Sequence, residues 1–305
     1  MAVKKESVSF KNRNIDLAGE LRFPQNFDAS QRYAALIIVT PGSNVKEQIG
    51  AFYGERMAAR GFITLAFDPS YQGQSGGEPR DLEDPAARVE DIRCAVDFLT
   101  TLPYVGENRI GVLGVCAGGG YAANVAMTEH RIKAVGTVVA VNLGRAWRQA
   151  MPPELLEQVG QQRTREARGG ELRRENWIPD TPEEAKAMGI TDPDTLQAVE
   201  YYRTPRSYSP HSTNRRLFRS DAVVLGFDAF HLVGELLTQP LQVIVAGRLG
   251  TTFSYNDGQQ LWEQARNKKD LFVIEGAGHY DLYDVPQYVD QAVERLDGFY
   301  REYLN

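Results

Sequence analysis

The sequence predicts an α/β fold: a mostly parallel, twisted sheet flanked by helices, with a largely helical cap inserted into it. Three observations carry that expectation. Strand and helix patterns alternate along most of the chain, the strand runs are continuously apolar, and the alternation has one long break. Continuous Val/Ile/Leu runs mark strands buried on both faces, the habit of parallel sheets covered by helices. The break, between Asn142 and Glu235, is too long for a loop inside a compact domain and carries its own aromatic and aliphatic residues.

Two short alternating runs, at 8–10 and 15–21, read as an antiparallel hairpin turning at 11–14. Apolar strands follow at 34–39, 62–67, 110–115, 135–141, 241–246 and 271–274. Helical patterns separate most of them, at about 48–60, 86–102, 119–129, 258–266 and 286–303. The core domain is therefore expected to comprise residues 1–142 and 236–305, with 143–235 as the cap. Proline clusters such as Met151-Pro152-Pro153 divide that cap into short helical pieces. Its cations are nearly all arginine, from Arg145 and Arg148 to Arg216 and Arg219, against one lysine, Lys186. Most are expected on solvated faces beside Glu and Asp, with one or two placed to hold a substrate carboxylate.

Composition narrows the partners. A formal net charge of -6 gives no reason to expect nucleic acid. The N-terminus lacks the apolar core of a signal peptide, and no apolar run is long enough to cross a bilayer, so no membrane partner and a cytoplasmic location are expected. The two cysteines, Cys94 and Cys116, lie far apart without metal-type spacing, which suits a reducing compartment and argues against a disulfide framework or a zinc site. Cys94 falls in a helical pattern and reads as a small packing residue. Ligands of parallel sheets bind beyond the carboxyl ends of the strands, and Cys116 is placed there.

The stretch Gly114-Val115-Cys116-Ala117-Gly118-Gly119-Gly120 follows the 110–115 strand and precedes a helix. Strand, G-x-C-x-G, helix is the outline of a nucleophile elbow with cysteine where serine is usual. Glycines two before and two after allow the tight turn, and the helix N-terminus favours thiolate over thiol. The base is expected to be His279, set on the same rim by Glu275-Gly276-Ala277-Gly278 after the last strand. Such a pair can rest as thiolate and imidazolium, making Cys116 reactive well below pH 8.5. His130 reads as a helix C-terminal residue, while His211 and His231 fall in the cap. The oxyanion of acyl transfer needs two preorganised N–H donors. These are assigned to Ala117, after the nucleophile, and to Ser43, in the loop Thr40-Pro41-Gly42-Ser43-Asn44.

Those segments, with Ala66 to Ser75 and Gly276 to Asp284, resemble the dienelactone-hydrolase-related branch of the α/β-hydrolase fold over nearly the whole chain. The resemblance implies a cofactor-free hydrolase of esters, lactones or thioesters that acts on a small-molecule acyl substrate. It also places Cys116 and His279 in the nucleophile and base positions. Tyr71 is a substrate-binding candidate, and so is His231, which lies in Phe227 to His231 just before the sheet resumes. No metal is expected, and homodimerisation is left open. The chain departs from the pattern at the acid: the place just past the 241–246 strand holds Gly250 and Thr251. Asp257 is the candidate catalytic carboxylate, equally placed to cap a helix starting at Gly258. Asp228 is an alternative, and Asp281 is too close in sequence to His279 to orient it. Two other readings remain: a cyclase or lyase using His279 as base, and a silent binding protein on a hydrolase fold.

Overall fold

The computed structural model describes residues 3–305. Strands β1 (Lys4–Asn12) and β2 (Ile15–Phe23) form the expected hairpin, with Val8 opposite Gly19. The sheet continues through β3 (Tyr33–Val39), β4 (Ile63–Phe67), β5 (Val105–Val115) and β6 (Ile132–Val138). Two short strands, β7 (Arg174–Asn176) and β8 (Arg215–Leu217), pair with each other as a separate ribbon. Finally β9 (Leu241–Ala246) and β10 (Lys268–Ile274) complete a sheet of eight strands in the order β1-β2-β4-β3-β5-β6-β9-β10. Only β1 with β2 and β2 with β4 run antiparallel; every other neighbouring pair is parallel.

The central strands are apolar on both sides because helices cover both. Helices α1 (Ala51–Ala59) and α12 (Pro286–Leu304) bury Tyr53, Met57, Leu296 and Tyr300 against one face. Helices α2 (Pro85–Thr100), α3 (Ala117–Ala126) and α10 (Ser254–Gln264) bury Ile92, Val96, Ala122 and Leu261 against the other. Local signals set the helix starts. Asp84 accepts the N–H groups of Ala86 and Ala87 at 2.9 and 3.3 Å, with Pro85 at the first helical position of α2.

Between β6 and β9 the chain leaves the sheet, as the break in the pattern predicts. It forms α4 (Leu143–Ala150), α5 (Leu155–Ala167), α6 (Pro182–Ala187), α7 (Pro193–Arg203), α8 (Ser220–Leu225) and α9 (Val233–Leu236), together with the ribbon. Asn142, Thr181 and Asp192 cap α4, α6 and α7 with their side chains. The short α11 (Asp281–Asp284) follows the loop after β10. Two boundaries differ from expectation with consequences for the site. Strand β6 ends at Val138 because Val139 turns to a φ of 44°. Helix α10 begins at Ser254, so Asp257 sits inside its first turn and does not cap a helix starting at Gly258.

Candidate active site

The elbow is built as its glycines require. Cys116 joins β5 to α3 with φ 56° and ψ -127°, a backbone that L-residues rarely adopt and that costs roughly 1–3 kcal/mol. A Cβ on Gly118 would lie 2.1 Å from the Val39 carbonyl oxygen, and one on Gly114 would lie 2.3 Å from that of Gly118. No larger residue fits either place. The Cys116 N–H donates to the Val138 carbonyl at 3.1 Å, and its own carbonyl accepts from Gly119 and Val141 at 2.8 and 2.9 Å. The Ala117 N–H is the first of α3, one of the four that a helix leaves free, and it favours the thiolate form of Cys116.

The loop after β3 is held from behind by buried charges. Arg88 of α2 donates one guanidinium nitrogen to the carbonyls of Thr40 and Pro41, at 2.7 and 3.2 Å. Glu83 faces that guanidinium at 3.5 Å and accepts the Tyr121 hydroxyl at 2.7 Å. At the loop's far end Asp68 accepts the Lys46 N–H at 2.7 Å and its ammonium at 2.9 Å. With two carbonyls bound to Arg88 and a φ of 57° at Ser43, the Gly42–Ser43 turn lies against the cavity that Cys116 and Ala117 also line.

That cavity measures about 110 Å³ and is walled by Leu143, Trp177, Ile178, Tyr202, Tyr280 and Tyr283, with Ser212 and Asn214 as its polar side chains beside Ser43. No arginine lines it. The arginines of the inserted segment are instead engaged elsewhere: Arg145 with Asp257, Arg206 with Asp284, Arg203 with Asp180 and Arg174 with Asp81. Arg216 is buried against Asp221 at 2.7 Å and lies over the rings of Trp147 and Trp177, 5.2 and 5.3 Å from their centres. It thereby fixes Trp177 above Gly42. The expected arginine grip on a substrate carboxylate is absent from this cavity. A larger groove of about 610 Å³ lies between β10 and α12, away from the strand ends and without a nucleophile.

His279 is 2% exposed and sits among aromatic rings. Its Nδ1 is 2.9 Å from Ser254 Oγ and its Nε2 is 3.3 Å from the Tyr283 hydroxyl. Tyr283 lines the same cavity as Cys116 and favours its thiolate form, so Tyr283 stands beside both thiol and imidazole. Burial decides the charge state. It pushes the Cys116 thiol up to about 11, against the lowering effects of Tyr283, the Ala117 N–H and the more distant Arg88. It also holds the His279 imidazole well below its ordinary value, although the Asp194 charge acts in the other direction. Desolvation thus outweighs the helix end, and the pair rests as thiol and neutral imidazole rather than as the expected ion pair.

The carboxylate nearest in expectation is engaged elsewhere. Asp257 receives two bonds from Arg145, each 2.6 Å, and the Asn142 N–H at 2.9 Å, so its oxygens are bound at the start of α4 rather than at His279. Asp228 accepts from the Asn142 amide at 2.8 Å and the Phe230 N–H at 3.0 Å, in the same structural cluster. Asp281 accepts from Gly278 N–H and Arg248, both at 2.8 Å, shaping the histidine loop. The two substrate-binding candidates also fall outside the cavity. Tyr71 lines a surface pocket with Asn12, Arg13 and Asp84, and His231 is exposed with Nδ1 3.0 Å from the Asp228 carbonyl.

Residues that sequence reasoning missed complete the site: Tyr283, Ser254, Tyr202 and Asp194. Asp194, from α7, occupies the place where the acid was expected. Its carboxylate accepts the N–H and hydroxyl of Thr252, each at 2.9 Å, and a Cβ on Gly250 would lie 2.2 Å from it. The signal for Tyr283 was its spacing, four residues after His279 across the turn that leads into α11.

The family model described as the alpha/beta hydrolase family matches residues 40–292. The chain belongs to the alpha/beta hydrolase family. It is an enzyme of that family, and the expected fold holds. It is 39% identical to the uncharacterized protein YcjY of Escherichia coli (strain K12), over 97% of this chain and 98% of that protein. The crystal structure of hypothetical protein PA2218 from Pseudomonas aeruginosa superposes with a TM-score of 0.89 at 33% identity, covering 99% of this hydrolase and 94% of that chain. A thiohydrolase of Eupenicillium brefeldianum is 27% identical over 86% of this chain and 84% of its own length. Dienelactone hydrolase from Anabaena variabilis shares the fold, at a TM-score of 0.56 and 14% identity over the full length of both chains. Among the described residues no helix is long and apolar enough to cross a membrane.

Proposed function

We propose that this enzyme hydrolyses a small, uncharged acyl compound, an ester or thioester, through an acyl intermediate on Cys116. The observation that carries the reading is the position of Cys116: on a strained elbow, at a helix N-terminus, facing a cavity shared with Ser43 and Ala117. Nucleophilic attack on a carbonyl carbon would place its oxygen where those two N–H groups can receive it. His279 takes the thiol proton, protonates the leaving group and then activates water. Residues 143–235 act as a cap, since Trp177, Ile178, Tyr202, Ser212 and Asn214 from that segment wall the cavity.

Two features support a neutral substrate. No Asp, Glu, Lys or Arg lines the cavity, and its walls are mostly aromatic and aliphatic. A charged acyl group would lose its hydration there without a counter-ion. The relative named a thiohydrolase supports the thioester arm of the reading. Asp257 has no role at His279; the charge of Asp194 and the bond that Nδ1–H donates to Ser254 Oγ support the imidazole instead.

A panel of p-nitrophenyl esters, small lactones and acyl thioesters, each with and without a carboxylate on the acyl chain, tests this directly. The expected result is release of free acid from uncharged substrates, lost in Cys116→Ala, with carboxylate-bearing analogues at least about tenfold poorer in kcat/KM. Turnover that survives in Cys116→Ala, or a preference for the carboxylates, overturns it.

A further inference from the structure

We propose that Tyr283 is a catalytic proton relay, its hydroxyl carrying the proton between the Cys116 thiol and His279 so that thiol and imidazole need not touch. The inference rests on Cys116 being the nucleophile and adds a residue to that chemistry. Three observations carry it. The Tyr283 hydroxyl lies 3.3 Å from His279 Nε2, and Tyr283 lines the same cavity as Cys116, whose thiolate form it favours. His279 Nδ1 is already engaged by Ser254 Oγ at 2.9 Å, which leaves Nε2 as the nitrogen that receives the proton. Tyr283 is wholly buried and packs against Tyr201, with ring centres 5.0 Å apart and planes nearly perpendicular, so its ring is held in place.

As Sγ bonds the substrate carbonyl carbon, the S–H proton moves to the Tyr283 oxygen and the Tyr283 hydroxyl proton moves to His279 Nε2. The carbonyl π pair goes to oxygen, where the Ala117 and Ser43 N–H groups receive it. On collapse the bond to the leaving oxygen or sulfur breaks. The proton returns from Nε2 through Tyr283 to that leaving atom, and the acyl group stays on sulfur. In deacylation water replaces the thiol as the proton source, the same two transfers run again, and the thiol is regenerated.

Burial explains why a relay suits this site. An isolated thiolate and an isolated imidazolium are both disfavoured here, since the thiol is pushed up and the imidazole down. Tyrosinate is disfavoured too, because burial raises the Tyr283 hydroxyl well above its ordinary value. Concerted transfer of both protons with S–C bond formation avoids free thiolate and tyrosinate, and the imidazolium it forms arises together with the oxyanion. A hydroxyl, donor and acceptor at once, is the side-chain group that can do this without changing its own charge.

The test is the burst rate of Cys116 acylation by a p-nitrophenyl ester in wild type, Tyr283→Phe, His279→Ala and the double variant, with intact mass reporting the adduct. The relay predicts that Tyr283→Phe acylates about 10²–10³-fold more slowly, and that adding it to His279→Ala costs almost nothing further, because the two act as one path. Acylation of Tyr283→Phe within threefold of wild type overturns the relay while leaving the Cys116 nucleophile intact. Absence of any Cys116 adduct in wild type overturns the nucleophile reading and the relay with it. A second measurement needs no variant, should Tyr283→Phe fail to fold. Across mixtures of H2O and D2O, the wild-type burst rate should depend on deuterium fraction along a bowed curve, the sign of two protons in flight. A straight line overturns the relay.

Discussion

Cys116 is held by its neighbours rather than by its sulfur, which sets what its substitution does. Val39, Gly114 and Gly118 fix the elbow, so Cys116→Ala should fold with an unchanged melting temperature and lose turnover by several orders of magnitude. Cys116→Ser should be nearly as poor, because a hydroxyl gives up its proton less readily than a thiol and His279 has no carboxylate bonded to it. Its protonation state yields a second prediction. With the thiol at about 11, iodoacetamide should modify Cys116 slowly at pH 7.5 and faster as pH rises toward that value. Cys94, also pushed up to about 11 by burial with Glu90 and Asp97 nearby, gives no contrast at neutral pH. Rapid, Cys116-selective labelling below pH 8.5 would restore the ion pair that the sequence suggests. His279 adds a stability effect whose sign follows from its depressed pKa. Between the native value and the ordinary 6.5 the unfolded chain binds a proton that the native protein does not. Stability is therefore full above about 6.5 and falls as pH drops below it, with Asp194 and the hydroxyls of Ser254 and Tyr283 as the facing polar groups. Denaturant midpoints from pH 7.5 to 4.5 should show this loss, and His279→Gln should flatten it.

The elements around the site show which of its parts were legible and which were not. Cys116, Ala117, Ser43 and His279 were readable because each lies at a strand end that the apolar pattern marks. Asp257 was misread because its helix begins a turn earlier than the pattern suggests, which turns the carboxylate toward Arg145. Asparagine there cannot balance that guanidinium, so Asp257→Asn should cost about 1–3 kcal/mol of stability. Turnover per folded molecule should change less than threefold; a 10³-fold loss without a stability change would return Asp257 to the catalytic role. Asp194 and Ser254 were illegible for a different reason. They come from α7 and α10, and only the folded chain brings them near His279, whereas Tyr283 lies four residues from it in sequence. The loop after β3 carries its own test. Arg88→Lys keeps a buried charge but loses the guanidinium whose Nη2 binds both carbonyls while its Nε faces Glu83. A loosened donor loop should lower kcat about tenfold while KM moves little, and an effect on KM alone would argue against that positioning role.

At the scale of the whole molecule, the mostly parallel sheet and its two helical layers followed from alternation and continuous apolar runs, because burial on both faces leaves a plain trace in sequence. What the inserted segment does left no such trace. Its arginines read as candidates for a substrate, whereas the fold engages many of them in salt bridges and sets Arg216 behind Trp177. The resulting cavity is small, aromatic and uncharged, and it faces a neutral thiol. The most direct measurement is intact-mass spectrometry on protein quenched during turnover of a p-nitrophenyl ester, followed by peptide mapping. A mass gain equal to one acyl group, located on Cys116 and absent from Cys116→Ala, is the predicted result. Turnover with no adduct, or with the acyl group on another residue, would contradict it.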